Sequence, residues 1–129
     1  MSPVSSTEVN KIVAQRDGQK CVHCGTNSNL TIQHRRGRGM GGSKSLNTPD
    51  NLILMCWSSN TGMEDDSDEA QEARLRGWKI DRADPRPAYE IPVWVWPGGW
   101  RQLLRDSTYF NVSSPADVRP VAEWQMEMP

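Results

Sequence analysis

The chain has 129 residues, 36% of them hydrophobic, with a formal net charge of −1. That length suits one small domain with a modest core. No apolar run approaches the roughly 20 residues of a membrane span, and the opening lacks a signal-peptide pattern, so a cytoplasmic protein without membrane contact is expected.

The near-neutral total conceals an asymmetry. Lys11 to Leu46 holds seven Lys/Arg against one acid, and Asn47 to Ala73 holds seven acids and no base. A basic patch beside an acidic one suits phosphate binding next to a cation site, and it equally suits two solvated faces that attract each other.

Ser5-Ser6-Thr7-Glu8 has the form of a capping box, and Val9, Ile12 and Val13 follow on one helical face. Asp17-Gly18 should end that helix. Cys21-Val22-His23-Cys24-Gly25 then has the spacing of a zinc knuckle, in which two thiolates on one tight turn share an ion. Cys56 is the third and last cysteine. A redox pair has the same spacing, but the flanks lack a βαβ pattern, so metal ligation is preferred. His23 is the lesser candidate, because the residue between two knuckle cysteines mostly points away from the ion.

Leu30-Thr31-Ile32-Gln33-His34 alternates as a half-buried strand does, with Leu30, Ile32 and His34 on one face. From Arg35 to Thr48 the chain carries four glycines and four bases, Arg35, Arg36, Arg38 and Lys44. That is the composition of a loop that touches phosphates. Thr48-Pro49-Asp50 is a turn, and Asn51 to Met55 is a short buried strand delivering Cys56. Cys56 to Met63 is expected as a loop and Glu64 to Arg76 as a helix, its acids early, its arginines late and Gly77 as its stop.

Beyond Gly77 the pattern becomes β. Trp78-Lys79-Ile80 is a short strand, Asp84 to Pro87 a proline-rich connector, and Ile91–Trp96 with Trp100–Leu104 a hairpin about Pro97-Gly98-Gly99. The tryptophans are expected to cover the core rather than stack on bases. The division is one domain over 1–110, with its core at 19–78 and a hairpin at 89–105, followed by a loose tail at 111–129.

Taken together, Cys21-x-x-Cys24, His34 at a strand end, the basic glycine loop and the N-L-x-x-x-C run from Asn51 to Cys56 resemble the HNH endonucleases, over roughly Cys21 to Trp78. The resemblance implies an α+β fold: an N-terminal helix, a ββα unit around one metal ion with a zinc-knuckle remnant, and a C-terminal β-hairpin. It implies His34 as general base and Asn51 as the residue that ties the loop and orients the histidine. It gives Arg35, Arg36, Arg38 and Lys44 to DNA phosphates, and Cys21, Cys24 and Cys56 to a structural zinc. The position before the base, usually an Asp or His ligand, is here Gln33. One register places Met63 at the fourth zinc cysteine and Glu64 at the metal-binding histidine, with Asp68 one turn on. The other makes Ser59-Asn60 the Cys-His pair.

The implied activity is cleavage or nicking of DNA with Mg²⁺ or Mn²⁺ held by Gln33, Glu64 or Asn60, and Asp68. A phage or mobile-element origin, with partners of that kind in the host cytosol, goes with it. The lost ligands open a second expectation, a weakly active or inactive HNH fold kept for DNA binding or assembly. A purely structural zinc adaptor for protein partners would leave the arginine loop without a use.

Overall fold

In a computed structural model that describes residues 6–37, 46–63 and 68–128, an α+β fold is built around the strand β2 (Leu52–Cys56). Its sequence is LILMC and every residue is buried. A strand apolar on both faces needs cover on both. β1 (Leu30–His34) pairs with it antiparallel, His34 opposite Leu52 and Leu30 opposite Cys56. On one face α1 (Ser6–Arg16) sets Val9 and Val13 against Leu52 and Ile32. On the other, Ile53 and Met55 join Val22, Met63, Trp78, Val93 and Leu103 in the main core. Leu30 also packs against this second cluster, while with Ile32 and Leu54 it lines a cavity beside α1.

Polar contacts fasten α1 to the sheet. The Asp17 carboxylate accepts the Leu54 N–H at 2.9 Å, and the Arg16 guanidinium donates to the carbonyls of Pro49 and Leu52, both at 2.6 Å. The helix ends as expected before Gly18, whose φ is +69°. Ser5 of the expected capping box lies outside the described residues.

After β2 the expected loop is a short helix instead, α2 (Trp57–Gly62). Cys56 caps it, its sulfur accepting the Ser59 N–H at 3.4 Å. The segment WSSNTG has no apolar periodicity, so only the cap and its packing on the strands make it helical. α3 (Asp68–Leu75) buries Ala70 and Ala73; the first residues of its expected span, 64–67, lie outside the described residues. Gly77 has φ +78°, and a Cβ there would sit 2.1 Å from the Pro92 carbonyl oxygen, so both conformation and space require glycine. The expected strand at Trp78–Ile80 reduces to one parallel bridge between Ile80 and Arg36.

The hairpin forms between β3 (Val93–Trp94) and β4 (Trp100–Leu103), and β5 (Tyr109–Val112) adds a third strand. The tail is not loose. The buried Gln102 amide needs partners and finds them in the Arg119 backbone, one bond each way at 2.8 Å. Farther on, a 3-10 turn buries Gln125, and Met128 packs beside α1. Among the tryptophans, Trp78 is a core residue, its indole N–H donating to the Trp94 carbonyl at 2.8 Å, whereas Trp57 and Trp124 are exposed. Among the described residues no helix is long and apolar enough to cross a membrane.

Candidate functional site

The knuckle turn and the end of β2 bring the three cysteines together. Val22 donates its N–H to the Leu54 carbonyl at 3.0 Å, which lays the turn against the sheet, and Gly25 (φ +76°) lets the turn close under the Trp96 ring. The three sulfurs lie within 4.8 Å of one another, with Cys24 and Cys56 at 3.8 Å. A disulfide would need about 2.05 Å. A tetrahedral zinc with bonds of about 2.3 Å sets its sulfurs about 3.8 Å apart, so this cluster can hold a metal ion such as zinc.

The thiols are electrostatically unequal. Burial pushes the Cys56 thiol up, but hydrogen bonds from the Ser59 hydroxyl and N–H and from the other two thiols outweigh it and leave its pKa below the ordinary value. For Cys24 the Thr26 backbone bond lowers the pKa, and burial with the neighbouring thiols outweighs that and raises it. Of these two thiols, Cys56 is the one whose surroundings favour the thiolate.

At the other end of the hairpin, His34 closes β1. Its Nε2 lies 2.7 Å from Asn47 Oδ1. With the proton on Nε2, the ring donates to that amide oxygen and keeps the Nδ1 lone pair. Nδ1 has no hydrogen-bond partner among the described residues. The ring lines a cleft of about 490 Å³ with Gln33, Gly37, Met63, Lys79 and Arg82.

Asn51 is buried and ties the two ends of segment 37–45. Its Oδ1 accepts the Arg36 N–H at 2.9 Å, and its Nδ2 donates to the carbonyls of Arg36 at 3.2 Å and Leu46 at 3.0 Å. Holding Leu46 also places Asn47, so Asn51 acts on the histidine through the backbone and Asn47 is the direct partner. Asn47 carries no motif in the sequence that could have singled it out.

The expected metal ligands divide. Gln33 lines the His34 cleft. Asn60 is buried and its Oδ1 has no hydrogen-bond partner, an orphaned acceptor of the kind a cation or water satisfies. Asp68 is exposed in the first turn of α3, and Glu64 lies outside the described residues. Among the described residues, no group of three His, Cys, Asp or Glu other than the cysteines converges.

The arginines need correction. Arg35 is 1% exposed, and its guanidinium donates to the carbonyls of Gly77 and Asp50 at 2.7 Å, of Ala88 at 3.2 Å and of Ile91. Burial pushes it down to about 9, with Asp50 opposing and Arg16 and Arg36 adding to the fall. Four of its five N–H donors are spent inside the protein, and its burial keeps the guanidinium from a phosphate. Arg36 is half-buried and donates to the carbonyls of Asp84 at 3.1 Å and Arg86 at 2.6 Å. Arg38 and Lys44 lie outside the described residues. Besides the buried Arg35, the cations that line the cleft beside His34 are Lys79, whose ammonium also donates to the Met63 carbonyl at 2.8 Å, and Arg82; the sequence marked Lys79 only as part of a short strand.

No family model, curated protein or solved structure matches this chain, so its site is interpreted from its own residues.

Proposed function

We infer that the chain is a metal-dependent DNA endonuclease of HNH type, with His34 as general base. The observation that carries this is the His34–Asn47 hydrogen bond, which holds the ring with a free Nδ1 in a cleft that Lys79 and Arg82 line along with the buried Arg35. Nδ1 takes a proton from water, the water oxygen attacks phosphorus, and the bond to the leaving ester oxygen breaks. Lys79 and Arg82 orient the phosphate. A divalent cation, when bound, supplies Lewis-acid stabilisation of the leaving oxygen. The residues that would hold it are Gln33 and Asn60, and the unpaired Asn60 oxygen favours the register in which Ser59-Asn60 stands for the Cys-His pair.

One observation favours the second reading, a DNA-binding or assembly module. Asp81 is the one carboxylate among the cleft's described lining residues, and it is already paired with Arg74 at 2.9 Å. Plasmid cleavage with Mg²⁺, Mn²⁺ or EDTA, wild type beside His34→Ala, separates the two. Metal-dependent cutting lost in the variant supports the enzyme. Binding without cutting under any metal supports the module.

A further inference from the structure

We propose that the hydroxyl of Ser59 is the fourth vertex of a zinc site with Cys21, Cys24 and Cys56, oriented by a hydrogen bond to His23. A tetrahedral ion with bonds of about 2.3 Å to sulfur and about 2.0–2.2 Å to oxygen sets oxygen and sulfur roughly 3.5 Å apart. Ser59 Oγ lies 3.1 Å from the Cys56 sulfur and 3.8 Å from the Cys21 sulfur, on either side of that value. The spacing of Cys56 and Ser59 repeats that of Cys21 and Cys24, so a C-x-x-S turn faces a C-x-x-C turn.

The other two candidates for the vertex are already engaged. His23 Nδ1 lies 2.9 Å from Ser59 Oγ, and its ring sits tilted at 54° against Trp78, the centroids 4.6 Å apart. In the loaded site this imidazole, with its lone pair on Nδ1, would accept the serine proton that the metal-free cluster shares with the Cys56 sulfur, and so turn an oxygen lone pair toward the sulfurs, which is a positioning role. Met63 is buried in the main core and lines the His34 cleft. Three soft thiolates with one hydroxyl select zinc among common divalent ions but hold it less tightly than four thiolates. The site is therefore an exchangeable one, and this holds whether or not the chain cuts DNA.

The test uses the full chain, reduced and freed of metal, with Co²⁺ as a spectroscopic probe and Zn²⁺ affinity measured against a competing chelator. Wild type should show the visible bands of tetrahedral cobalt with sulfur ligands, and Zn²⁺ should displace it. Ser59→Cys should tighten zinc by more than about tenfold and strengthen the sulfur charge-transfer absorption. Ser59→Ala should weaken zinc on the order of tenfold, and His23→Ala by about tenfold at most, since it acts through Ser59. Met63→Cys should change neither affinity nor spectrum. The proposal is overturned if wild type binds neither ion, if Ser59→Cys gives no gain, or if Met63→Cys gives the gain instead.

Discussion

Replacing Arg35 with methionine tests whether a charge beside a glycine loop serves the surface or the interior. The guanidinium joins three stretches of chain, at Asp50, at Gly77 and at Ala88 with Ile91. Methionine keeps much of the volume but donates nothing, and the four carbonyls belong to the backbone and stay. A hydrogen bond to a charged group contributes roughly 1.5–3 kcal/mol, and a buried acceptor left unpaired costs about 1–3 kcal/mol. Against this stands the cost of burying the guanidinium, visible in its pKa of about 9. The net loss expected for Arg35→Met is on the order of 4 kcal/mol, a large share of the ~5–15 kcal/mol that holds a domain. In a urea titration followed by tryptophan fluorescence, with a slope of about 1–3 kcal/mol per molar, the midpoint should fall by roughly 2 M. Arg35→Lys should recover only part of this, because an ammonium cannot fork to four separated acceptors. If Arg35→Met unfolds within about 1 kcal/mol of wild type while DNA binding falls, the arginine is a surface phosphate contact and not an internal brace.

Three further outcomes are expected. Asn47→Ala should leave the unfolding midpoint nearly unchanged yet lower metal-dependent cleavage about 10–100-fold, since it frees the His34 ring without removing it. Charge reversal of Lys79 and Arg82 should weaken DNA binding for every sequence and flatten its salt dependence, which filter binding over a salt series would measure. Asp84 is brought from 3.8 to about 2 chiefly by hydrogen bonds from Arg86. A lowered acid contributes stability that is complete above its unfolded pKa and lost as pH falls through the folded one. Between pH 4 and pH 2 the melting temperature of wild type should therefore fall toward that of Asp84→Asn, and a constant gap over that range would refute it.

What could be foreseen from the chain depended on whether the signal was local. The alternation at Leu30–His34 is a period-2 pattern and Leu52–Met55 a short continuous apolar run, and both mark the strands found there. The hairpin about Pro97-Gly98-Gly99 was equally plain, as was the stop at Gly18. Arg35 was not, because its neighbours in sequence are loop residues while its partners lie 15 to 56 positions away. Asn47 meets His34 across 13 residues through a contact that no spacing rule encodes. The tail failed similarly: Gln102 and Arg119 recognise each other through one amide and one peptide group, which leaves no trace in hydrophobic periodicity. Ser59 was visible only as one of two registers, and Met63 and Ser59 separate once the fold sends one to the cleft and the other to the thiols.

The two centres lie at opposite ends of one short ladder. Leu30 faces Cys56 at the thiol end and His34 faces Leu52 at the other. Four residues at about 3.4 Å each put roughly 13 Å between the ends, too far for an ion on the cysteines to take part in chemistry at His34. The thiol end is held by the packing of Cys21, Val22 and Cys56 in the main core and by backbone bonds, among them the Trp57 N–H to the Asn29 carbonyl at 2.8 Å and the Val22 N–H to Leu54. The histidine end has Asn51 and the buried Arg35 to hold it. An ion on the cysteines would therefore supply at one end the restraint that hydrogen bonds supply at the other. Its removal should loosen the pairing of Leu30 with Cys56 well before that of His34 with Leu52. An ion held at the knuckle would thus bear on stability, and the proposed chemistry on the far end of the β1–β2 pair.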